Sequence, residues 1–142
     1  MNIEDLKVYE LSMNIGEKVW ANVNKWNYFN KDTIGKQLVR AIDSVAANLS
    51  EGFGRYHFKE KKNFSYYSRG SLYEAKTWIV KAKNRGLVNE NDFLSFKEDI
   101  NYIGKMLNNY IRSISNNQSN YKNTVNEPNI IYGSDEEDIF ES

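Results

Sequence analysis

With 142 residues and 19 basic side chains balancing 19 acidic ones, the chain has the size of one domain with a proper core and no net charge. It holds one His and no Cys, which excludes disulfides, thiolate metal sites, cysteine nucleophiles and His-rich metal centres. No apolar run approaches the roughly 20 residues of a membrane helix, and the mixed, acidic start Met-Asn-Ile-Glu-Asp is no secretory leader; the expectation is a cytoplasmic protein without membrane contact.

The neutral total conceals an asymmetry. Residues 121–142 carry one lysine (Lys122) against six acids, a net −5, so residues 1–120 carry 18 cations against 13 acids, a net +5. A basic body with an acidic tail suits an anionic partner for the body or docking of the tail on its own chain; a solubilising tail is the plain alternative.

In chain order, helix 1 is expected over 4–26, where Ile3, Leu6, Ile15, Val19, Val23 and Trp26 keep helical spacing. Helix 2 is expected to start at Asp32 as N-cap and to end near Gly52 and Gly54. Its apolar stripe is Ile34, Leu38, Ile42, Val45, Leu49 and Phe53, and a polar stripe of Arg40, Ser44, Asn48, Glu51 and Arg55 is centred about 130° away. Taken alone, that polar stripe reads as a solvated face, its Glu51–Arg55 pair contributing about 0.3–0.5 kcal/mol.

Helix 3 is expected over 58–85, with His57 as a poor N-cap, Glu60 three residues on, and Gly86 just past the end. Phe64, Tyr67, Ser71, Ala75, Trp78, Ile79 and Ala82 form its expected core stripe, and Gly70 suggests close approach of a neighbouring helix. Helix 4 is expected from Asn89 to about 115, with Asp92 at N3 and Phe93, Phe96, Ile100, Ile103, Leu107, Tyr110, Ile111 and Ile114 on its buried side. The Asn-rich run from Asn116 then reads as a linker to an acidic end with isolated Ile139 and Phe140. The fold class is therefore all-α: an up-down-up-down four-helix bundle over 1–118, followed by a disordered acidic C-terminal tail over 119–142.

No constellation carries catalytic or metal chemistry. His57 lies at a helix cap between aromatics, Glu-x-x-His pairs are missing, and Gly52-Phe53-Gly54 lacks the Lys-Ser/Thr of a phosphate loop. The expectation is a protein with no enzymatic activity, no cofactor and no metal. The outward side of helix 3 is more informative. Lys59, Lys62, Tyr66, Arg69, Tyr73 and Lys76 fall within about 100° of arc without an acid among them. Cations that displace counterions, interleaved with flat rings that stack on bases, suit a nucleic acid; an ordinary exposed face and a subunit interface rich in Tyr and Arg are the other readings.

Three stretches resemble a known family: Asp5-Leu6-Lys7-Val8-Tyr9, then Gln37-Leu-Val-Arg40-Ala-x-x-Ser44-x-x-x-Asn48-x-x-Glu51-Gly52-x-x-Arg55, then Lys59-Glu60, Phe64 and Gly70-Ser71-x-x-Glu74. These are similar to the four-helix-bundle family of 23S rRNA intervening-sequence proteins, itself similar to the accessory variability determinant of diversity-generating retroelements, and the resemblance spans about 3–114. It implies a non-enzymatic homopentamer and, for the retroelement branch, binding to a reverse transcriptase and its template RNA. It also implies that Gln37, Arg40, Ser44, Asn48, Glu51, Arg55, Ser71 and Glu74 form a polar network with helix 3 or a neighbouring subunit. The chain departs from the family at Phe29-Asn30, where Phe-Pro is common, at Val39-Arg40, where an Arg pair is common, and at His57, where Ser or Thr is usual. The acidic tail lies beyond the family pattern. The resulting expectation is a homo-oligomer that binds RNA or a nucleic-acid enzyme through basic faces, with a pure protein-binding scaffold as the second reading. The tail is expected to compete for Lys59, Lys62, Arg69 and Lys76.

Overall fold

Four long helices account for nearly all of the chain that the computed structural model describes, residues 1–121 and 138–141. They are α1 (Lys7–Val23), α2 (Lys36–Phe53), α3 (Phe58–Asn84) and α4 (Glu90–Tyr121). Short connections make successive helices antiparallel, and α1 and α3 each pack against both α2 and α4, closing an up-down-up-down bundle. This is the all-α architecture that the helical periodicity predicts. The Asn-rich linker and most of the acidic tail expected over 119–142 fall on residues 122–137 and 142, outside the described residues.

Helix boundaries follow the asparagines. The backbone N–H of Asn2 donates to the Asp5 carboxylate at 3.0 Å, closing a 3-10 turn over Ile3–Asp5, and Leu6 is extended, so α1 starts at Lys7 rather than at residue 4. Asn27, not Asp32, caps the next helical segment: its side chain accepts from the Asn30 N–H at 3.0 Å. The chain then makes one turn over Tyr28–Asn30 and a π-helical turn over Lys31–Gly35 before settling into α2. Asp32 lies within that π-turn, exposed, with Lys36 at 3.3 Å. Asn89 caps α4 by accepting from the Asp92 N–H at 2.7 Å, as the spacing predicts. However, α4 continues six residues past 115 to Tyr121, whose ring lies 5.9 Å from that of Phe58.

α3 ends as expected, with Gly86 at φ 75° and paired bonds from Gly86 N to Lys83 O and from Leu87 N to Ala82 O. That Schellman arrangement needs a left-handed residue, which Gly supplies without a Cβ clash. The first half of α3 turns a different side inward from the one that hydrophobicity indicates. Ser65, Ser68 and Leu72 are buried, while Phe64 and Ser71 are half-buried and Tyr67 is 56% exposed. α2 and α3 approach so closely that a Cβ on Gly52 would lie 2.7 Å from Cβ of Phe64. Ser68 fits that crossing and bonds across it, its hydroxyl donating to the Val45 carbonyl at 2.8 Å. Gly70, expected at a close approach, has no atom of the described residues within 4 Å of its ideal Cβ.

The core runs the length of the bundle: Ile15, Leu38, Ile42, Ile79, Ile100 and Leu107 are all at most 1% exposed. Fully burying such a side chain contributes about 1.5–3 kcal/mol, so this seam rather than intrinsic helix propensity holds the helices. Ile139, from the far end of the chain, joins the same core between α3 and α4.

Candidate nucleic-acid interface

The six residues of the α3 face divide into two halves. Lys59 is exposed, Tyr66 is 44% exposed and Lys62 is half-buried beside them. Lys59 and Lys62 make no ion pair among the described residues. Further along, the Arg69 guanidinium lies 5.6 Å from the centre of the Tyr73 ring, and both side chains are half-buried. Lys76 is half-buried with its ammonium 6.0 Å from the Phe140 ring. The open part of the face is its N-terminal part.

That end of the bundle also collects aromatic rings that the sequence pattern does not single out. Tyr56 (85% exposed) sits in the connection from α2 to α3, edge-on to His57 at 5.2 Å. Tyr67 stands edge-on to Phe64 at 5.5 Å, and Tyr121 (76% exposed) arrives from the end of α4. Tyr56, Tyr66, Tyr67 and Tyr121 thus lie at the same end of the bundle as Lys59 and Lys62. The signal available for Tyr56 is its place in a four-residue connection, which must lie at the surface. Tyr67 is hidden by its apolar weight, which suggests core, and Tyr121 by an expected linker.

The corner that positions this cluster is pinned by two cations. Lys61 donates to the Phe53 carbonyl at 3.2 Å, satisfying the C-terminal end of α2 with a positive charge. Arg55 bonds Glu51 at 2.6 Å, reaches Glu60 at 3.9 Å and covers the Phe64 ring at 4.9 Å. These are exposed pairs, so each contributes at most about 1 kcal/mol.

The remaining polar stripe of α2 spends its bonds along its own helix. Arg40 donates to Gln37 at 2.6 Å, the Ser44 hydroxyl to the Arg40 carbonyl at 2.7 Å, and the Asn48 amide to the Ser44 carbonyl at 3.0 Å. On α3, Glu74 accepts from the Trp78 indole at 3.0 Å, and Ser71 is half-buried. Arg55 is the stripe residue that these bonds carry across to α3; the others leave their outer edges open.

Among the described residues, concavities lie on two sides of α2. One, of about 400 Å³, is lined by Trp20, Val23, Asn24, Lys31, Gly35, Lys36, Val39 and Arg40; it is mostly apolar, and Trp20 stands 55% exposed in it. Tyr28 and Phe29, 80% and 71% exposed, precede its Lys31 side in the chain. The other, of about 380 Å³ between α1 and α2, holds Ser12, Glu17 and Asp43. Burial and the neighbouring charge of Glu17 push the Asp43 carboxyl above its ordinary 3.8. Among the described residues no group of three His, Cys, Asp or Glu side chains is placed to hold a metal ion, and no helix is long and apolar enough to cross a membrane.

Comparison with known proteins agrees with the motif reading. The model of the 23S rRNA-intervening sequence protein family matches residues 4–109, which takes in α1, α2, α3 and the first two-thirds of α4. No curated protein matches the chain. With the match covering three-quarters of its length, the chain belongs to the 23S rRNA-intervening sequence protein family.

Proposed function

We propose that this protein is a non-enzymatic, cytoplasmic homo-oligomer that binds RNA through the basic and aromatic end of the bundle. The observation that carries the reading is the pair Lys59 and Lys62, without ion-pair partners among the described residues, on the same end of the bundle as the exposed rings of Tyr56, Tyr66 and Tyr67. Ammonium groups with no ion-pair partner among the described residues release counterions from a phosphate backbone, and each stacked base adds about 1–3 kcal/mol. The same surface serves a nucleic-acid enzyme that carries its RNA, the reverse-transcriptase association that the family resemblance implies. Fluorescence anisotropy with a labelled oligouridine tests the site. Lys59→Glu with Lys62→Glu should weaken binding by tenfold or more, whereas Lys25→Glu at the opposite end of the bundle should leave it unchanged. Equal losses in both variants would mean that net charge alone is being read.

Self-assembly is supported by the groove beside α2, where an exposed Trp sits on an apolar floor with Lys36 and the signature residue Arg40 at its rim. Trp and Arg at the edge of an apolar patch are the residues that anchor interfaces. Light scattering should give about five times the 16.6 kDa of one chain, the pentamer that the resemblance implies, and Trp20→Glu should reduce it to the monomer. A single-chain mass for the unmodified protein at micromolar concentration contradicts the assembly. The second reading, a scaffold that binds only proteins, rests on that same apolar groove and is recognised by an affinity for its partner that hardly changes with salt.

A further inference from the structure

The last described residues, Asp138–Glu141, lie in a notch between α3 and α4 whose shape and bonding match them closely. The floor of the notch is Gly104. Ile139 is 3% exposed, and its Cδ1 atom occupies the space that a Cβ on residue 104 would need, 2.5 Å from the ideal Cβ position; the Leu72 side chain is 3.7 Å from the same point. The Asn101 carboxamide reads the tip from one side with both ends. Its oxygen accepts from the Ile139 N–H at 3.0 Å and its nitrogen donates to Asp138 at 3.1 Å. Asp138 in turn accepts from the Phe140 N–H at 2.8 Å, which fixes the turn. Phe140 then lies edge-on to Phe93 at 5.9 Å, with the ammonium groups of Lys76 and Lys97 at 6.0 and 5.9 Å from its ring and Lys97 3.9 Å from Asp138.

We propose that this notch is a docking site for the chain's own Asp138-Ile139-Phe140 tip, taken from the same subunit, and that the docked tip is a latch closing the Lys76–Lys97 surface to RNA. The docking half stands on the notch alone; the latch half rests on the RNA-binding reading above. Reach permits docking within one subunit. Asn101 lies 20 residues back from the end of α4, about 30 Å along the helix, and the 17 steps from Tyr121 to Asp138 span up to about 56–61 Å. Tethering at that length holds the tip at about millimolar effective concentration, so even a weak contact stays mostly closed. Charge favours the same occupant, since Asp135, Glu136 and Glu137 immediately precede the tip in sequence and the notch is rimmed by two lysines. Lys76 continues the α3 face that begins at Lys59, so a docked tip shortens the surface offered to a phosphate backbone.

The experiment uses full-length protein. By NMR, the Ile139 amide should exchange at least tenfold more slowly than an unstructured peptide, independently of protein concentration. Gly104→Ala should return it to the unstructured rate. Where Ile139 and Phe140 are both changed to Ala, Gly104→Ala should raise the melting temperature, because the added methyl then meets only ordinary contacts. A labelled peptide of residues 133–142 should bind that Ile139→Ala, Phe140→Ala protein about tenfold more tightly than the unmodified protein, whose notch is already filled. The same double variant should bind oligouridine more tightly at low salt, with a steeper salt slope. Unprotected Ile139 in the unmodified chain overturns the docking, and protection that falls on dilution overturns its assignment to the same subunit. Unchanged oligouridine affinity in the double variant overturns the latch, while a loss in Lys59→Glu, Lys62→Glu keeps the RNA reading intact. If no form of the protein binds oligouridine, the RNA reading and the latch fall together, and the Ile139 amide still decides the docking.

Discussion

Glu51 shows how environment sets what a signature residue contributes. Its carboxylate bonds Arg55 at 2.6 Å, but both side chains are substantially exposed, at 54% and 41%. Water screens such a pair, so Glu51→Ala should change stability by no more than about 0.5 kcal/mol in denaturant titrations. A loss of about 1–3 kcal/mol would instead show that a neighbouring copy buries the pair. Asp43 differs in its charge environment: it faces Glu17, and among the described residues no cation offsets it. Its proton affinity is higher in the folded chain than the ordinary 3.8, so ionised Asp43 costs stability near neutrality. That cost disappears as the pH falls through the raised value towards 3.8. Asp43→Asn should therefore raise the melting temperature near neutral pH, and the gap from the unmodified protein should close near pH 3.8. A gap that persists in acid would locate the effect in packing rather than charge.

At the scale of the helices, packing and capping override hydrophobic counting. Periodicity suffices to read four helices, because each core stripe repeats at helical spacing over many turns. It does not fix their ends, which depend on single bonds to the side chains of Asp5 and Asn27. Nor does it orient the first half of α3, where Phe64 and Tyr67 outweigh Ser65 and Ser68 on any apolar scale, yet Ser65 and Ser68 are the buried residues and Ser68 bonds the Val45 carbonyl of α2. One consequence is that Tyr67 belongs to the candidate interface and not to the core. Gly70 gives a test on the same helix. No described residue occupies the space beside it, so Gly70→Ala should gain about 1 kcal/mol in a denaturant titration, without a change in mass. Destabilisation with dissociation would mean that a second copy fills that space.

For the whole molecule, the charge asymmetry is legible in the sequence and its structural use is not. A net +5 body and a −5 tail suggest attraction, but nothing in the spacing of Ile139 and Phe140 points to Asn101 and Gly104, which lie in the middle of α4. Of the residues in the sequence expectation that the tail meets Lys59, Lys62, Arg69 and Lys76, Lys76 lies near Phe140, as does Lys97, which that expectation does not name; tail residues 122–137 lie outside the described residues. Lys59 and Lys62 remain at the other end of α3, beside the exposed tyrosines. The central claim is that this end binds RNA by releasing counterions, and the salt dependence of oligouridine binding measures it most directly. Between about 50 and 200 mM salt, log affinity should fall linearly with log salt, and Lys59→Ala with Lys62→Ala should reduce the slope by about 1.4, the share of two phosphate contacts on a single strand. An affinity that does not move with salt, or a slope that those two substitutions leave unchanged, would contradict it.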